Sequence, residues 1–195
     1  MAGNIKKAYR INVKKPVYAI LISDTKTSVA YEAVEKFSEA MQIQVTPEVA
    51  SGQLYGDGVK QSSIAKLTGI VGVFDVTKIP INVRAEILGN KYENGVLIES
   101  KDDIPPYIAV GYKVPQDMPG VAEYIWLLKG RAQPYGSTIQ QTTENINYST
   151  DTITIDFVTR EFDGAIKHSA DSADSTFTKE MADTWFDNVP GQIVA

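Results

Sequence analysis

Alternation of apolar and polar residues, the pattern of a half-buried β-strand, recurs along this sequence. It is clearest in residues 152–159, where Ile153, Ile155 and Phe157 alternate with polar side chains. The same two-residue period, or an apolar run too short for a helix, predicts further strands at residues 17–22, 42–50, 66–76, 107–114 and 124–129. Pro47 confines its own strand to a sheet edge or a bulge, because proline has no N–H to donate. The pattern therefore predicts a protein rich in β-structure.

Helical periodicity is clearest in residues 78–88. One apolar stripe runs along this segment, formed by Ile81, Ala85 and Leu88. Thr77 stands where an N-terminal cap is expected, and Pro80 is tolerated in a first helical turn. Gly89 offers the left-handed residue that commonly ends a helix. We predict a helix here that packs on the strands.

A second helix or turn is predicted near the C-terminus. Phe177, Met181 and Trp185 recur every four residues. Ser175 or Thr176 precedes them as a candidate cap. An amphipathic helix in this position is expected to dock through its aromatic side.

Turn signals complete the prediction of the fold. Asn94-Gly95 is the preferred pair for a type I′ hairpin. Residues 51–63 carry three glycines among small polar residues and predict a long loop or hairpin, in which Leu54 and Tyr55 are apolar enough to favour burial. Strands outnumber helices and do not alternate regularly with them. We therefore predict a mainly β (α+β) fold over residues 1–195, an antiparallel β-sandwich or barrel with one or two packed helices.

Composition excludes several classes of chemical site. The chain has no cysteine and a single histidine, His168, which we expect to be solvated. This removes disulfides, thiolate chemistry, most catalytic triads and metal sites built on Cys or His. Residues 56–63 lack the spacing of a phosphate-binding loop, and Asp102-Asp103 fits a solvated turn better than a catalytic pair. We expect no catalytic residue, no cofactor and no metal.

No apolar run reaches the length of a membrane span, and the N-terminus lacks the apolar segment of a signal peptide. We therefore expect no membrane partner.

Charge is distributed unevenly along the chain, whose net charge is −5. Residues 1–15 contain five basic residues and no acid: Lys6, Lys7, Arg10, Lys14 and Lys15. From Glu144 onward there are ten acidic residues and three basic ones. Two interpretations stay open, a contact between subunits in which the basic arm meets an acidic surface, and two solvated ends that never meet. The acidic total opposes a nucleic-acid-binding surface.

The most distinctive succession of elements lies in residues 79–131. It contains Ile87-Leu88-Gly89, then residues 94–99, and then the strands of residues 106–113 and 122–131. Tyr55-Gly56-Asp57 and Thr142-Thr143-Glu144 accompany it. In the order of its elements and in their residues, this succession resembles the major tail protein of long-tailed phages and prophages of Gram-positive bacteria. The resemblance covers about residues 40–165.

This resemblance implies a structural protein and not an enzyme, with the β-sandwich or barrel of phage tail tubes. Copies would form hexameric rings that stack into the tail tube of the virion, after synthesis in the host cytoplasm. DNA would pass through the lumen without specific binding. Other partners would be the tail terminator, tape measure and distal tail proteins. The alternative is a β-sandwich binding module for carbohydrate or surface adhesion.

The resemblance also implies which segments assemble. Residues 51–63 would be a stacking loop that uses Leu54, Tyr55, Gly56 and Asp57, unless the loop folds onto its own domain. Residues 1–15 would be a basic N-terminal arm, and residues 170–195 a C-terminal arm. Residues 29–41 have apolar residues at helical spacing and stay open between helix and strand, with the resemblance favouring strand.

Overall fold

The computed structural model describes residues 8–57, 59–137, 139, 141 and 149–192. Within these ranges the chain forms eleven strands and two short helices. The strands are β1 (Lys14–Asp24), β2 (Val29–Tyr31), β3 (Glu35–Lys36), β4 (Ala40–Gly56), β5 (Val59–Val76), β6 (Lys91–Glu93), β7 (Val96–Ile98), β8 (Tyr107–Pro115), β9 (Ala122–Ala132), β10 (Asp151–Phe157) and β11 (Lys167–Asp171). The helices are α1 (Ile81–Leu88) and α2 (Lys179–Thr184). The predicted mainly β fold with a flanking helix is confirmed.

Nine of these strands belong to one antiparallel sheet, here called the main sheet. Its order is β2-β1-β8-β9-β10-β5-β4, while β3 also pairs with β1 and β11 with β9. β6 and β7 form a separate hairpin around Asn94 and Gly95, whose φ angles of 51° and 82° agree with the predicted type I′ turn. β4 ends the strand order, as predicted for the strand that contains Pro47.

The principal core lies on one face of the main sheet. Side chains from β1, β5, β8, β9 and β10 meet α1 there. Tyr18, Phe37, Phe74 and Phe157 form a series of edge-to-face ring contacts with centroids 6.1–6.4 Å apart. Side chains of β4 and of β8 line one groove beside this core, although three strands separate β8 from β4 in the strand order. The main sheet therefore curls around its core.

A smaller core lies on the opposite face, at the β1-β8-β9 end of the main sheet. It is formed by Ala19, Ala109, Trp126 and Leu128 of the sheet, by Val29 and Tyr31 of β2, and by Val189 near the C-terminus. Aromatic residues of the C-terminal segment pack against it, namely Phe162, Trp185 and Phe186. This half of the outer face is therefore covered by the chain itself.

Helix α1 forms where it was predicted, but its buried side differs from the prediction. Val83, Ala85, Ile87 and Leu88 are buried, whereas Ile81 is 44% exposed. Thr77 does not cap the helix, since Pro80 occupies the N-cap position without a side-chain hydrogen bond and the helix begins only at Ile81. The face that meets the core is therefore centred on Val83 and Ile87. Gly89 has the predicted left-handed conformation, with φ 68°.

The C-terminal prediction is confirmed for the aromatic contacts and wrong for the cap. Phe177 and Trp185 both pack on Tyr124, with ring centroids 5.3 and 6.5 Å away. Met181 is exposed, because α2 is too short to bring a third residue onto the same surface. The cap is Thr178, whose side-chain oxygen accepts a hydrogen bond from the Met181 N–H at 3.3 Å.

Residues 29–41 are extended, and the helical alternative is wrong. The chain forms β2 and β3 on one side of β1 and then enters β4. Phe37 is fully buried between Tyr18 and Phe74. Its spacing from the other apolar residues therefore reflects separate contacts with two cores and not one helical face.

Candidate assembly surface

The most exposed regular structure is the far half of the β4–β5 hairpin. β10 pairs with β5 only from Ile70 to Val76, so residues 49–67 of the hairpin pair only with each other. We call these residues the ribbon. Every described side chain in it is exposed. The loop or hairpin predicted at residues 51–63 is thus a hairpin, and it is longer than the prediction.

The ribbon carries large apolar side chains into solvent. Six of them are 45–70% exposed: Val49, Leu54, Tyr55, Val59, Ile64 and Leu67. An isolated two-stranded hairpin is marginally stable in water. Burying one such side chain fully is worth roughly 1.5–3 kcal/mol, so the ribbon has a strong drive to be covered. Exposed apolar groups concentrated on one projecting element mark an interaction site.

The structure places the predicted assembly residues of this segment at the ribbon's end. Leu54 and Tyr55 are close to the turn and exposed, so they do not fold onto their own domain. The Tyr55 hydroxyl donates to the Gln53 side-chain oxygen at 2.7 Å. Gly56 ends β4, and Asp57 takes a left-handed φ of 50° in the turn.

Sequence reasoning missed the other apolar residues of the ribbon, Val49, Val59, Ile64 and Leu67, as parts of one surface. The two-residue period of β4 continues beyond Pro47 and could have indicated this surface. The composition of residues 51–63 suggested instead that the strand ends there. Glycines and serines predict a loop by composition, yet the backbone pairs through them.

The outer edge of β4 adjoins the ribbon. β4 pairs with β5 on one side, and in the described part of the chain no strand pairs with its other side. An unpaired edge presents N–H and C=O groups that a second strand can bind. The edge and the ribbon belong to the same continuous strand, so they form one surface.

A groove of about 570 Å³ lies between β4 and residues 10–13. Most of its lining residues are apolar, namely Ile11, Val13, Met41, Ile43, Val45, Pro47, Ile70, Tyr112, Val114 and Ile125, while polar and apolar atoms contribute about equally to its surface. Arg10 and Lys167 lie at its rim. The curled main sheet is thus not closed where β4 approaches the N-terminal segment.

A polar face covers the outer side of β4, β5 and β10. Three rows cross the strands: Gln42, Asp75 and Thr152; Gln44, Val73 and Thr154; Thr46, Val71 and Asp156. These side chains are exposed or half-exposed. The Thr152 hydroxyl donates to the Asp75 carboxylate at 2.5 Å, and the Gln133 amide donates to Asp156 at 2.6 Å. The three rows contain no lysine or arginine, and the third row continues on β9 with the exposed Arg131, which pairs with Asp156.

The basic residues predicted for assembly are placed differently from one another. Arg10 makes two 2.7 Å hydrogen bonds with the Glu123 carboxylate of the same chain. Lys14 and Lys15 are exposed at the start of β1. Lys6 and Lys7 lie outside the described residues. Of the three that the structure describes, Arg10 lies at the rim of the groove beside β4, whose lining includes no ribbon residue.

The C-terminal segment is held to its own sheet by charged groups that sequence reasoning did not identify. Arg160 is fully buried and donates to Asp163, to the Tyr31 hydroxyl at 3.3 Å and to the Pro190 carbonyl at 2.9 Å. Asp24 accepts from the Lys129 ammonium at 2.7 Å and from two backbone N–H groups at residues 161 and 162. An isolated arginine after a strand carries no sequence signal for such a contact.

Comparison of the chain with models of known protein families finds no match, and comparison with curated proteins finds none either. Among residues 8–57, 59–137 and 149–192, no three His, Asp or Glu side chains are grouped so that they could hold a metal ion. In the same part of the chain, no helix combines the length and the apolar character needed to cross a membrane.

Proposed function

We propose that this chain is a structural subunit that assembles with copies of itself into rings, which stack into a tube like the tail tube of a phage. The ribbon is the observation that carries the proposal. It projects six large apolar side chains from the folded body, beside the unpaired edge of β4. Both features need a partner, and a second copy of the chain supplies matching β-structure.

Ring formation requires two different surfaces on each copy. β4 provides one open edge, and the opposite end of the main sheet finishes in β2 and β3, which are three and two residues long. β2 and β3 already pair with β1 at five of its residues, so the second surface is the short outer edge of β2 and β3 themselves. A contact between unlike surfaces repeats from copy to copy and closes into a ring when the rotation per copy divides a full turn.

The polar face of β4, β5 and β10 suits the lining of a channel. It presents glutamine, threonine and aspartate side chains, with Asp75 and Asp156 already bound to neighbouring donors. The three rows contain no lysine or arginine that would neutralise phosphates and retain DNA, and Arg131 at their margin is stacked on the Tyr107 ring. We assign this face to the lumen, through which DNA passes without specific binding. The tail terminator, tape measure and distal tail proteins remain the further partners implied by the resemblance.

Electron microscopy of the purified protein at increasing concentration tests the proposal. We expect hollow rings and tubes, together with large species in sedimentation velocity. A protein that stays monomeric over the whole concentration range overturns the proposal, and solid or irregular aggregates overturn it as well.

A matched pair of double variants tests the role of the ribbon. Leu54→Ser with Tyr55→Ser removes two apolar side chains from the ribbon, while Tyr92→Ser with Val96→Ser removes two exposed ones from the β6–β7 hairpin. We expect both proteins to keep the wild-type circular dichroism spectrum and only the first to lose tubes. Loss of the folded monomer in the first variant would place Leu54 and Tyr55 in the core instead.

A further inference from the structure

The register of the hairpin assigns each ribbon residue to one of two faces. Directly paired residues of an antiparallel ladder point to the same side, and successive residues of a strand point to opposite sides. Leu54 pairs with Ser62, and Gln53 pairs with Ser63. Ser62 and Ser63 are therefore neighbours in sequence that lie on opposite faces of the ribbon.

The register shifts of the hairpin do not move ribbon residues from one face to the other. The register shifts once between Glu48 and Val49 and once between Leu54 and Tyr55. At the first shift the extra residue, Thr68, is on β5, so β4 keeps its alternation. Odd-numbered residues of β4 therefore continue the core side of the main sheet into the ribbon.

The six large apolar residues divide equally between the two faces. The core-side face carries Val49, Tyr55 and Leu67, and the outer face carries Leu54, Val59 and Ile64. A ribbon that lay on a single partner would have one apolar face and one polar face. Here each face carries three large apolar side chains, whereas β4 presents Gln42, Gln44 and Thr46 on the outer side of the main sheet.

We propose that the ribbon is held between two other copies of this chain, one against each face. The inference rests on the proposed function, because it assigns the ribbon's partners within the ring-and-tube assembly. Each ribbon then inserts into a cleft formed by two neighbouring subunits and joins three copies at one place.

The size of the ribbon favours further copies over an unrelated partner. Eight residues of β4 beyond Glu48 extend about 27 Å, and two strands are about 10 Å wide, so each face offers roughly 270 Å². A stable two-body interface needs about 800 Å² from each partner. One ribbon face is too small to hold a separate partner, whereas contacts repeated in a symmetric assembly reinforce one another.

Charge also favours further copies. Lys60 pairs with Tyr55 on the core-side face, and Lys66 pairs with Ala50 on the outer face, so each face presents one exposed lysine. The chain as a whole carries a net charge of −5. A second copy is therefore acidic overall, which is the sign of charge that an exposed lysine attracts.

Single cysteines at the two adjacent serines test the inference. The chain contains no cysteine, so Ser62→Cys and Ser63→Cys each introduce one unique thiol with little change of shape. The maleimide labelling rate of each thiol is measured in dilute monomer and in purified tubes. We expect the two rates to be equal in the monomer and both to fall at least tenfold in tubes. Tubes in which either thiol keeps its monomer rate overturn the inference.

A second pair of variants covers the case in which the thiol variants fail to assemble. Leu54→Ser alters only the outer face and Leu67→Ser only the core-side face, and Gln53→Ser is a control at an already polar position. We expect each leucine variant to raise the critical concentration for assembly by tenfold or more, and the control by less than twofold. An effect confined to one leucine overturns the two-sided arrangement. Failure of the wild-type protein to form tubes contradicts the proposed function instead.

Discussion

Arg160 is the most constrained charged residue of the described chain. It is fully buried, with Asp163, the Tyr31 hydroxyl and the Pro190 carbonyl as its acceptors. Arg160→Met keeps much of the side-chain volume but leaves the Pro190 carbonyl without this donor and the Asp163 carboxylate with only the Ala165 N–H. We expect the free energy of unfolding in urea to fall by about 3–5 kcal/mol.

Arg10 provides the matched control for that prediction. It also forms a two-fold hydrogen bond with a carboxylate, but its side chain is 69% exposed. Arg10→Met is expected to cost less than about 1 kcal/mol, because solvent screens the pair. Equal losses in the free energy of unfolding of the two variants would mean that burial does not determine how much these contacts contribute to stability.

The pH dependence of stability follows from Asp24 and His168. Burial alone would raise the pKa of Asp24, but hydrogen bonds from two backbone N–H groups and from Lys129 outweigh it and lower the pKa below its ordinary 3.8. Burial, helped by the charge of Arg160, lowers the pKa of His168 below 6.5. In both cases the unfolded chain binds protons at a higher pH than the folded chain does, so stability falls as the solution becomes more acidic.

Urea unfolding between pH 3 and 8 separates the two groups. We expect wild-type stability to decrease first as the pH falls below about 6.5 and again below about 4. His168→Gln should remove the first decrease only. Asp24→Asn should lower stability at neutral pH and reduce the second decrease without removing it, because hydrogen bonds from Arg160 also lower the pKa of Asp163. A wild-type profile that is flat over this range would contradict both assignments.

At the scale of elements, α1 shows how a helix contributes through one side. Ile87 is fully buried and Ile81 is 44% exposed on the same helix. Ile87→Ala is expected to lower the free energy of unfolding by about 2–5 kcal/mol, since it leaves a cavity beneath the helix. Ile81→Ala removes the same atoms from a partly exposed side chain and should lower the free energy of unfolding by less than about 1 kcal/mol. Chemical denaturation measures both changes. Comparable losses in the free energy of unfolding would support the buried stripe that was predicted from the sequence, with Ile81 as part of it.

The strands and α1 were predictable because their periodicity is local. Phe157 and its neighbours in β10 alternate strictly, and Gly89 ends α1 as expected. The buried side of α1 was not predictable, because it depends on where Pro80 lets the helix begin and on the sheet beneath it. Phe37 illustrates the same limit, since its helical spacing arises from tertiary contacts of extended chain.

The candidate site was predictable only in part. Leu54 and Tyr55 stood out as apolar residues in a polar segment. The assignment of Ile64 to one face and Leu67 to the other depends on strand register and on the bulges, which composition does not encode. The contact of Arg10 with Glu123 joins residues 113 positions apart and has no local signal.

At the scale of the whole molecule, the charge asymmetry leads to a prediction about salt. Residues 9–15 belong to the folded body, since Ile11 donates to the Pro115 carbonyl and Val13 packs on the core. Deleting residues 1–7 therefore removes Lys6 and Lys7 without dismantling β1. If these lysines meet the acidic C-terminal surface of a neighbour, the truncated protein should assemble with a weaker dependence on salt.

The critical concentration at about 0.05 and 0.5 M salt measures this effect, over a range in which the screening length becomes much shorter. Lys26→Gln with Lys101→Gln removes the same charge from exposed positions elsewhere and serves as the control. The truncated protein should lose most of the salt response, and the control should keep it. An unchanged response after truncation would leave the two charged ends as solvated surfaces that do not meet.

The continuity of β4 and β5 from the main sheet into the ribbon also has a mechanical consequence. A pull on the ribbon along its length moves both strands together against β10, which pairs with β5 at seven successive residues. Those pairs are then strained at the same time, in shear, and do not open one after another as in a zipper. In the proposed tube, tension between stacked subunits would be carried into the centre of each sheet, so a filament linked through such ribbons would resist stretching without any covalent bond between its subunits.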